Sequence, residues 1–133
     1  MTSLHQNMMP ASPDPSLLNG IAWAKRWNDR RRLRENANMA LSVARAEPAD
    51  HINIARSLRT LAWEARWRGD FDRALEFALK CEQVIDDPKD PSVLADCLCV
   101  LGVVYYSRNR LDLSIFVIDR GLNLVDDAMP VAT

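Results

Sequence analysis

Length, composition and charge restrict the kinds of protein this chain can be. Its 133 residues and mass of 15.1 kDa suit one domain. A hydrophobic fraction of 48% and a charged fraction of 26% are those of a globular chain, which excludes a disordered or collagen-like protein. The 17 basic and 18 acidic residues leave a formal charge of −1, which argues against nucleic-acid binding through bulk charge. Three cysteines, an odd number, predict reduced thiols in a cytoplasmic protein.

The amino-terminal segment, residues 1–15, is predicted to be a flexible leader. It contains Pro10, Pro13 and Pro15 among polar residues, and it lacks the basic and apolar regions of a signal peptide. Further along, charged or amide residues interrupt every apolar stretch before it reaches the roughly 18 residues needed to cross a bilayer. We therefore expect no membrane span.

The most informative feature is an internal repeat with a period of 40 residues. Residues 21–27 and 61–67 share the pattern Ile/Leu-Ala-Trp-x-x-Arg-Trp, and the third copy begins with Leu101 and Gly102. An upstream leucine recurs in the same register, at Leu18, Leu58 and Leu98. The repeat predicts one domain over residues 16–127 in three units, 16–50, 51–90 and 91–127, followed by a tail at 128–133.

Each unit has the pattern of two helices joined by a turn. Turn residues follow the first helix at 68–70 and 108–110, and near 28–31 in the first unit, so the later second helices are predicted to begin at Phe71 and Leu111. The expected buried faces of the second helices are Leu33, Ala37, Ala40, Leu41 and Ala44; Phe71, Ala74, Leu75, Ala78, Cys81 and Ile85; and Leu111, Ser114, Ile115, Ile118, Leu122 and Val125. No segment alternates with a period of two, which predicts an all-α fold of six helices in three antiparallel pairs.

These units resemble the tetratricopeptide repeat. That family has Leu-Gly or Leu-Ala in the first helix and a Gly-Asp-aromatic turn into the second. The second unit matches with Leu61-Ala62 and Gly69-Asp70-Phe71, and the third with Leu101-Gly102. The resemblance implies an α-α superhelix whose paired helices approach closely at Ala62 and Gly102. The period of 40 residues instead of about 34, and Ala65 where the family has an aromatic residue, leave a HEAT-like or other helical-hairpin solenoid as the alternative.

The resemblance also implies a binding surface, because in this family the first helices line a concave groove for partner peptides. Trp63 and Trp67 lie one turn apart, roughly opposite the apolar stripe of their helix, and Trp23 and Trp27 repeat that spacing. The groove is expected to contain Trp23, Arg26, Trp27, Arg56, Arg59, Trp63, Arg66 and Trp67, with Val103 and Tyr106 in the third unit. Tryptophan and arginine supply contact area, stacking and paired hydrogen bonds, so the expected partner is a protein or peptide with acidic residues and apolar anchors.

Other roles for these residues stay open. The tryptophan pairs can stack between neighbouring units and bind nothing. The basic run at 30–34 can contact RNA or phosphate, but a helix spreads its arginines around the circumference, so nucleic acid is not the expected partner. Charge is also unevenly divided, with 10 basic and 6 acidic residues in 1–67 against 7 and 12 in 68–133, which permits a homodimer.

No set of residues predicts an enzyme, a cofactor or a metal site. His5 lies in the leader and His51 at a repeat boundary, and neither has a partner at a meaningful spacing. Cys97 and Cys99 point about 200° apart on a helix, so they cannot hold one zinc ion without other ligands and are expected to be buried, like Cys81. The carboxylate pairs at 86–87 and 126–127 lie at helix ends and form no general acid–base pair.

The expected function is that of a protein-interaction module that binds a partner peptide or helix in the groove. The alternative is an amino-terminal sensory, regulatory or dimerisation domain of a larger bacterial signalling protein, such as a diguanylate cyclase or a transcription regulator. Apolar residues on the last helix favour this alternative, because no polar capping helix follows Phe116, Val117, Ile118 and Val125. A small structural oligomer, in which a second copy buries this face, is the third possibility.

Overall fold

The described residues, 14–46, 48–85 and 91–128, form six α-helices in this computed structural model. The helices are α1 (Pro15–Ala24), α2 (Arg30–Arg45), α3 (His51–Trp67), α4 (Phe71–Val84), α5 (Pro91–Ser107) and α6 (Leu111–Ala128). No strand occurs in these three ranges, so the predicted all-α fold is confirmed. Each helix packs against the next, and α3 also contacts α1 and α5. The predicted leader and tail lie almost entirely outside the described residues.

Aspartate side chains cap the beginnings of α2, α3 and α4. Asp29, Asp50 and Asp70 each accept a hydrogen bond from the backbone N–H three residues later, at 3.1, 3.1 and 3.2 Å. A carboxylate in this position satisfies an amide that has no partner inside the helix, and it interacts favourably with the helix dipole. The caps therefore define where these helices start.

The turns after α3 and α5 repeat each other in structure as well as in sequence. Gly69 and Asn109 both have a positive φ, of 84° and 61°. One residue later, the backbone N–H of Asp70 bonds to the carbonyl of Ala65, and that of Arg110 to the carbonyl of Tyr105, each at 2.8 Å. A residue in the left-handed region ends a helix in this way, and glycine and asparagine tolerate it best. The predicted starts of the second helices at residues 71 and 111 are confirmed.

The core lies around α3, whose predicted apolar stripe is fully buried. The buried members of that stripe are Ala55, Leu58, Leu61, Ala62 and Ala65. The predicted faces of α2 and α4 pack against the same core. The close approach at Gly102 is also confirmed, because Ser114 Oγ donates to the Gly102 carbonyl at 2.7 Å and a Cβ at this position would collide with Ile118.

The first unit departs from the expected repeat at the end of its first helix. We expected Trp27 on the same helix as Trp23, but α1 ends at Ala24 and residues 25–28 form a turn. The amides of Lys25 and Asn28 bond to carbonyls three or four residues earlier, at 3.0 Å. The turn before α2 is consequently longer than the three-residue turn before α4.

The predicted buried face of α6 is wrong in most positions. Leu111, Ile115, Ile118 and Leu122 are exposed, and only Ser114 of the described members is buried. Val117 and Gly121 also face α5, since Val117 is buried and Gly121 would place a Cβ 3.4 Å from the Ala95 carbonyl. Ile118, although 38% exposed, contacts α5 at Gly102. Small residues allow the closest approach of two helix backbones, and α6 is oriented to use them. Val125 belonged to the predicted face, and its side chain lies outside the described residues.

The cysteines also differ from the prediction of three buried, reduced thiols. Cys81 of α4 and Cys97 of α5 form a disulfide at fully buried positions. Cys99 is exposed on the opposite side of α5 and is a free thiol. Spacing along the sequence does not reveal this pairing, because the two partners lie on different helices and meet only when α4 packs against α5.

Candidate functional site

Tryptophan and arginine side chains from α1, the following turn and α3 form a cluster through contacts between rings and between guanidinium groups and rings. The ring centres of Trp23 and Trp63 are 5.9 Å apart, and those of Trp27 and Trp63 are 4.8 Å apart, both with nearly perpendicular planes. Such edge-to-face contacts stabilise aromatic pairs beyond the area that they bury. The indoles of the first two units therefore contact each other, which is the packing role that the sequence left open.

Arginines cover the faces of these rings. The Arg26 guanidinium carbon lies 4.2 Å from the ring centre of Trp23 and 5.6 Å from those of Trp27 and Trp63. Arg59 also approaches Trp23, with its guanidinium carbon 4.0 Å from the ring centre. These distances suit cation–π attraction, which strengthens when the pair is shielded from water. The rings of Trp23, Trp27 and Trp63 therefore each have a guanidinium group within about 6 Å of the ring centre.

Arg66 completes the cluster beside α3. Its guanidinium carbon lies 4.9 Å from the ring centre of Trp63. We use the name Trp/Arg cluster for the six residues Trp23, Arg26, Trp27, Arg59, Trp63 and Arg66.

Positive charge in the Trp/Arg cluster is only partly balanced. Arg59 is buried and its Nη1 lies 3.5 Å from Asp96 Oδ2. In the described part of the chain, no carboxylate forms an ion pair with Arg26 or Arg66. Arg26 Nη1 instead donates to the Trp23 carbonyl at 2.7 Å. The cluster therefore presents two cations whose neighbours are ring faces and a backbone oxygen.

Arg26 Nε and Trp63 Nε1 are buried donors of the Trp/Arg cluster that have no acceptor among the described residues. Buried donors are nearly always hydrogen-bonded in folded proteins, and an exception indicates a water molecule, strain or a ligand. Trp27 is the most exposed residue of the Trp/Arg cluster, at 63%.

The remaining predicted groove residues lie outside the Trp/Arg cluster. Trp67 is 40% exposed and lies beside the start of α2, where it forms no ring contact with the other tryptophans of the described chain. Tyr106 is exposed at the end of α5, and Val103 is half-buried on the same helix. Arg56 is half-buried, and its carbonyl accepts a hydrogen bond from Thr60 Oγ1 at 3.0 Å. The structure thus brings together six of the predicted residues in the Trp/Arg cluster.

A buried polar network, which we did not predict, attaches α1 to α3 beneath the Trp/Arg cluster. Asn19 Nδ2 donates to the Asn53 carbonyl and to Asn53 Oδ1, both at 3.2 Å, and Ser57 Oγ donates to Asn19 Oδ1 at 3.1 Å. Asn53 Nδ2 also donates to Ser16 Oγ at 2.9 Å and to Asp50 Oδ2 at 2.8 Å. The hydrogen bond from the Asn53 side chain lowers the pKa of Asp50 below its ordinary value.

A second unpredicted group is the buried Glu64, which is 1% exposed on α3. Arg68 Nε donates to both of its carboxylate oxygens at 3.1 Å, and Arg30 and Arg34 approach from α2. The spacing of polar residues on α3 could have indicated both the polar network and the buried Glu64. Asn53, Ser57, Thr60 and Glu64 recur at helical spacing on α3, and all four are buried.

The described residues contain no group of three His, Cys, Asp or Glu side chains that can hold a metal ion. Over the same ranges, none of the helices combines the length and apolar character that crossing a membrane requires. No protein-family model, curated protein or solved structure matches the chain.

Proposed function

We propose that the chain is a protein-interaction module and that the Trp/Arg cluster binds an acidic segment of a partner protein. The observation that carries this proposal is the pair Arg26 and Arg66, two cations that face indole rings and form no ion pair in the described chain. Partner carboxylates would supply the missing counter-charge. The proposal assigns no reaction and no cofactor to the chain.

The chemistry of the Trp/Arg cluster suits a partner with both acidic and apolar residues. Trp27 is mostly exposed and offers a large rigid ring to an apolar side chain. The buried donor Arg26 Nε favours an acceptor group in the ligand, since an unsatisfied donor is costly. Arginine also binds carboxylates through two parallel hydrogen bonds, which orients the partner.

We also retain a tetratricopeptide-like solenoid as part of the proposal. It is supported by the contacts of α3 with α1 and α5, which make the three first helices neighbours. In such an array the Trp/Arg cluster would lie on the surface formed by the first helices. The cytoplasmic location expected from three reduced thiols loses its support, because Cys81 and Cys97 are paired, so the proposal names no compartment.

A random-peptide display selection on the whole chain tests the proposal. We expect enrichment of peptides that combine Asp or Glu with an aromatic or aliphatic residue. Trp27→Ala and Arg66→Gln should each weaken a selected peptide by about tenfold, since residues of these types dominate binding energies. Selected peptides without acidic residues, or variants that bind as tightly as the unchanged chain, would contradict the proposal.

Two exposed residues outside the Trp/Arg cluster provide matched controls. Met39→Ala removes an exposed apolar side chain from α2, and Arg73→Gln removes an exposed cation from α4. Both should bind the selected peptide as the unchanged chain does. Circular dichroism of each variant separates a loss of binding from a loss of helix.

A specific observation favours a second function, homodimerisation through α6. Leu111, Ile115 and Leu122 are exposed at positions that share one face of this helix, and Phe116 is exposed on another face. An exposed apolar face of this kind marks an interaction site. Asp112 lies near the start of this helix and Arg120 lies further along it. If two copies of α6 paired in antiparallel fashion, Asp112 of one copy would approach the part of the other copy that carries Arg120. This would make the chain an association domain, as expected for a regulatory part of a signalling protein.

Light scattering coupled to size-exclusion chromatography tests the second function. A dimer should form at micromolar concentration, and Ile115→Glu should convert it to a monomer because it places a charge in the contact. Leu79→Glu on the exposed part of α4 is the control and should leave the mass unchanged. A monomer at all concentrations would exclude this function.

A further inference from the structure

A surface pocket lies between the start of α2 and the end of α3, and no member of the Trp/Arg cluster lines it. Its volume is about 520 Å³, and its lining residues are Asn28, Asp29, Arg30, Arg31, Arg34 and Trp67. Pockets of this volume are large enough for a small organic ligand. We name it the α2–α3 pocket.

Two arginines of the α2–α3 pocket lie near the buried Glu64 carboxylate, whose hydrogen bonds come from a different arginine. Glu64 gives both oxygens to Arg68 Nε at 3.1 Å. Arg34 Nη1 lies 3.7 Å and Arg30 Nε 4.0 Å from Glu64 Oε1, which is close enough for electrostatic attraction but too far for a hydrogen bond. Glu64 therefore orients the two guanidinium groups without using their donors.

The donors of Arg30 and Arg34 remain available to a ligand. In the described chain neither side chain has another partner than Glu64, and both are about half exposed. Arg31 pairs with Glu35 at 3.1 Å through Nε, which leaves its other nitrogens at the edge of the pocket. The residues that line the pocket comprise three arginines and one aspartate, so the lining itself carries a net positive charge.

Trp67 supplies the apolar side of the α2–α3 pocket. Its indole is partly exposed, and no other ring of the described chain stacks on it. An aromatic face beside a pair of arginines is a combination that binds planar rings carrying an anionic group. The sequence interpretation assigned Trp67 to the peptide groove, but the structure gives it these other neighbours.

We propose that the α2–α3 pocket binds a phosphate monoester attached to a planar ring. The phosphate dianion accepts hydrogen bonds from Arg30 and Arg34, and the ring stacks on Trp67. A phosphate suits the site better than a carboxylate, because it carries up to two negative charges and three acceptor oxygens for the two guanidinium groups. Such a group occurs in a free nucleoside monophosphate and in a phosphorylated tyrosine side chain. The proposal does not depend on the Trp/Arg cluster.

Phenyl phosphate is the minimal probe, because it contains only the ring and the phosphate. Ligand-observed NMR at constant ionic strength compares it with inorganic phosphate and with benzoate. We expect phenyl phosphate to bind about tenfold more tightly than either, since it alone engages both the arginines and the indole. Equal binding of phenyl phosphate and inorganic phosphate would overturn the proposal.

Variants locate the binding in the α2–α3 pocket. Arg30→Gln and Arg34→Gln should each weaken phenyl phosphate about tenfold, because each removes a charged donor. Arg32→Gln is the matched control on the same helix, since Arg32 does not line this pocket, and it should change nothing. If all three variants weakened phenyl phosphate equally, the net charge of the chain would explain the binding, and the assignment to the α2–α3 pocket would be wrong.

Two further variants test the roles of the ring and of the neighbouring carboxylate. Trp67→Leu should abolish the preference for phenyl phosphate over inorganic phosphate, and Trp67→Tyr should retain it. Asp29→Asn should tighten binding, because it removes a negative charge from the pocket while its side-chain oxygen still caps α2. Weaker binding by Asp29→Asn, with helicity unchanged, would contradict the proposed arrangement.

Adenosine monophosphate and a tyrosine-phosphorylated peptide then distinguish the two sources. Tighter binding of either than of phenyl phosphate assigns the source, and weaker binding of both overturns the proposal that the pocket serves such a ligand. Trp27→Ala, which tests the peptide surface, should leave phenyl phosphate binding unchanged. The two proposals can therefore fail separately.

Discussion

Ser114 Oγ donates a hydrogen bond of 2.7 Å to the backbone carbonyl of Gly102, so α6 contacts the backbone of α5 directly. The glycine leaves no space for a side chain, because a Cβ would collide with Cγ1 and Cδ1 of Ile118. The third unit is held together by this close approach.

Gly102→Ala should destabilise the chain by about 1 kcal/mol, because the overpacking of a stiff β-branched neighbour exceeds the gain in helix propensity. Urea unfolding measures the change. The double variant Gly102→Ala with Ile118→Ala should recover most of the loss, since it removes the atoms that collide. An increase in stability for Gly102→Ala alone would show that the helices do not approach as closely as described.

The disulfide between Cys81 and Cys97 should contribute about 3 kcal/mol to stability, the value expected for a closed loop of this length. Reduction should lower the denaturation midpoint, and the number of titratable thiols in denaturant should rise from one to three. Cys99→Ser is the control, because Cys99 is exposed and unpaired, and it should leave the midpoint unchanged. Three free thiols in non-reduced protein would contradict the pairing.

Asp50→Ala should lower stability at pH 7 by about 1 kcal/mol, because it removes the cap of α3. The cap also predicts a pH dependence. Since the pKa of Asp50 is lowered in the folded chain, the charged form contributes stability above the ordinary aspartate pKa, and this contribution is lost as the pH falls through the lowered pKa. Asp50→Asn keeps an acceptor oxygen but should lack this part of the pH dependence. If the free energy of unfolding of the unchanged chain and of Asp50→Asn changed in parallel below about pH 5, the proposed contribution of the Asp50 carboxylate would be contradicted.

Arg68→Ala should destabilise the chain by about 2 kcal/mol, because it leaves the buried Glu64 carboxylate without a hydrogen-bond donor. Arg31→Ala is the matched comparison, since the Arg31–Glu35 pair is exposed and should contribute less than about 0.5 kcal/mol. Thermal unfolding at neutral pH compares the two. Equal losses would indicate that Glu64 is not sealed from water.

The sequence alone predicted the features that depend on local periodicity. Three helical hairpins follow from a repeat of 40 residues, and the helix starts at Phe71 and Leu111 follow from the turn residues before them. The buried stripe of α3 also follows from its spacing. Helix starts and single apolar faces are decided by interactions within a few residues, which is why the pattern reveals them.

Only the tertiary structure decided which face of α6 is buried. This helix carries apolar residues over most of its circumference, so periodicity does not select between the face with Leu111 and Ile115 and the face with Val117 and Gly121. The choice depends on where small residues let two backbones approach, and that requires the facing helix. Three residues of the predicted face, Leu111, Ile115 and Leu122, are consequently exposed, whereas Ile118 contacts α5 at Gly102 although it is partly exposed.

The division of the tryptophans has the same origin. The shared spacing of Trp23 with Trp27 and of Trp63 with Trp67 indicated one surface. In the structure, an early end of α1 brings Trp27 against Trp63, while the arginines at the start of α2 become neighbours of Trp67. Sequence periodicity defines positions within one helix, but contacts between residues far apart in the chain, including the Cys81–Cys97 pair, depend on how whole helices pack.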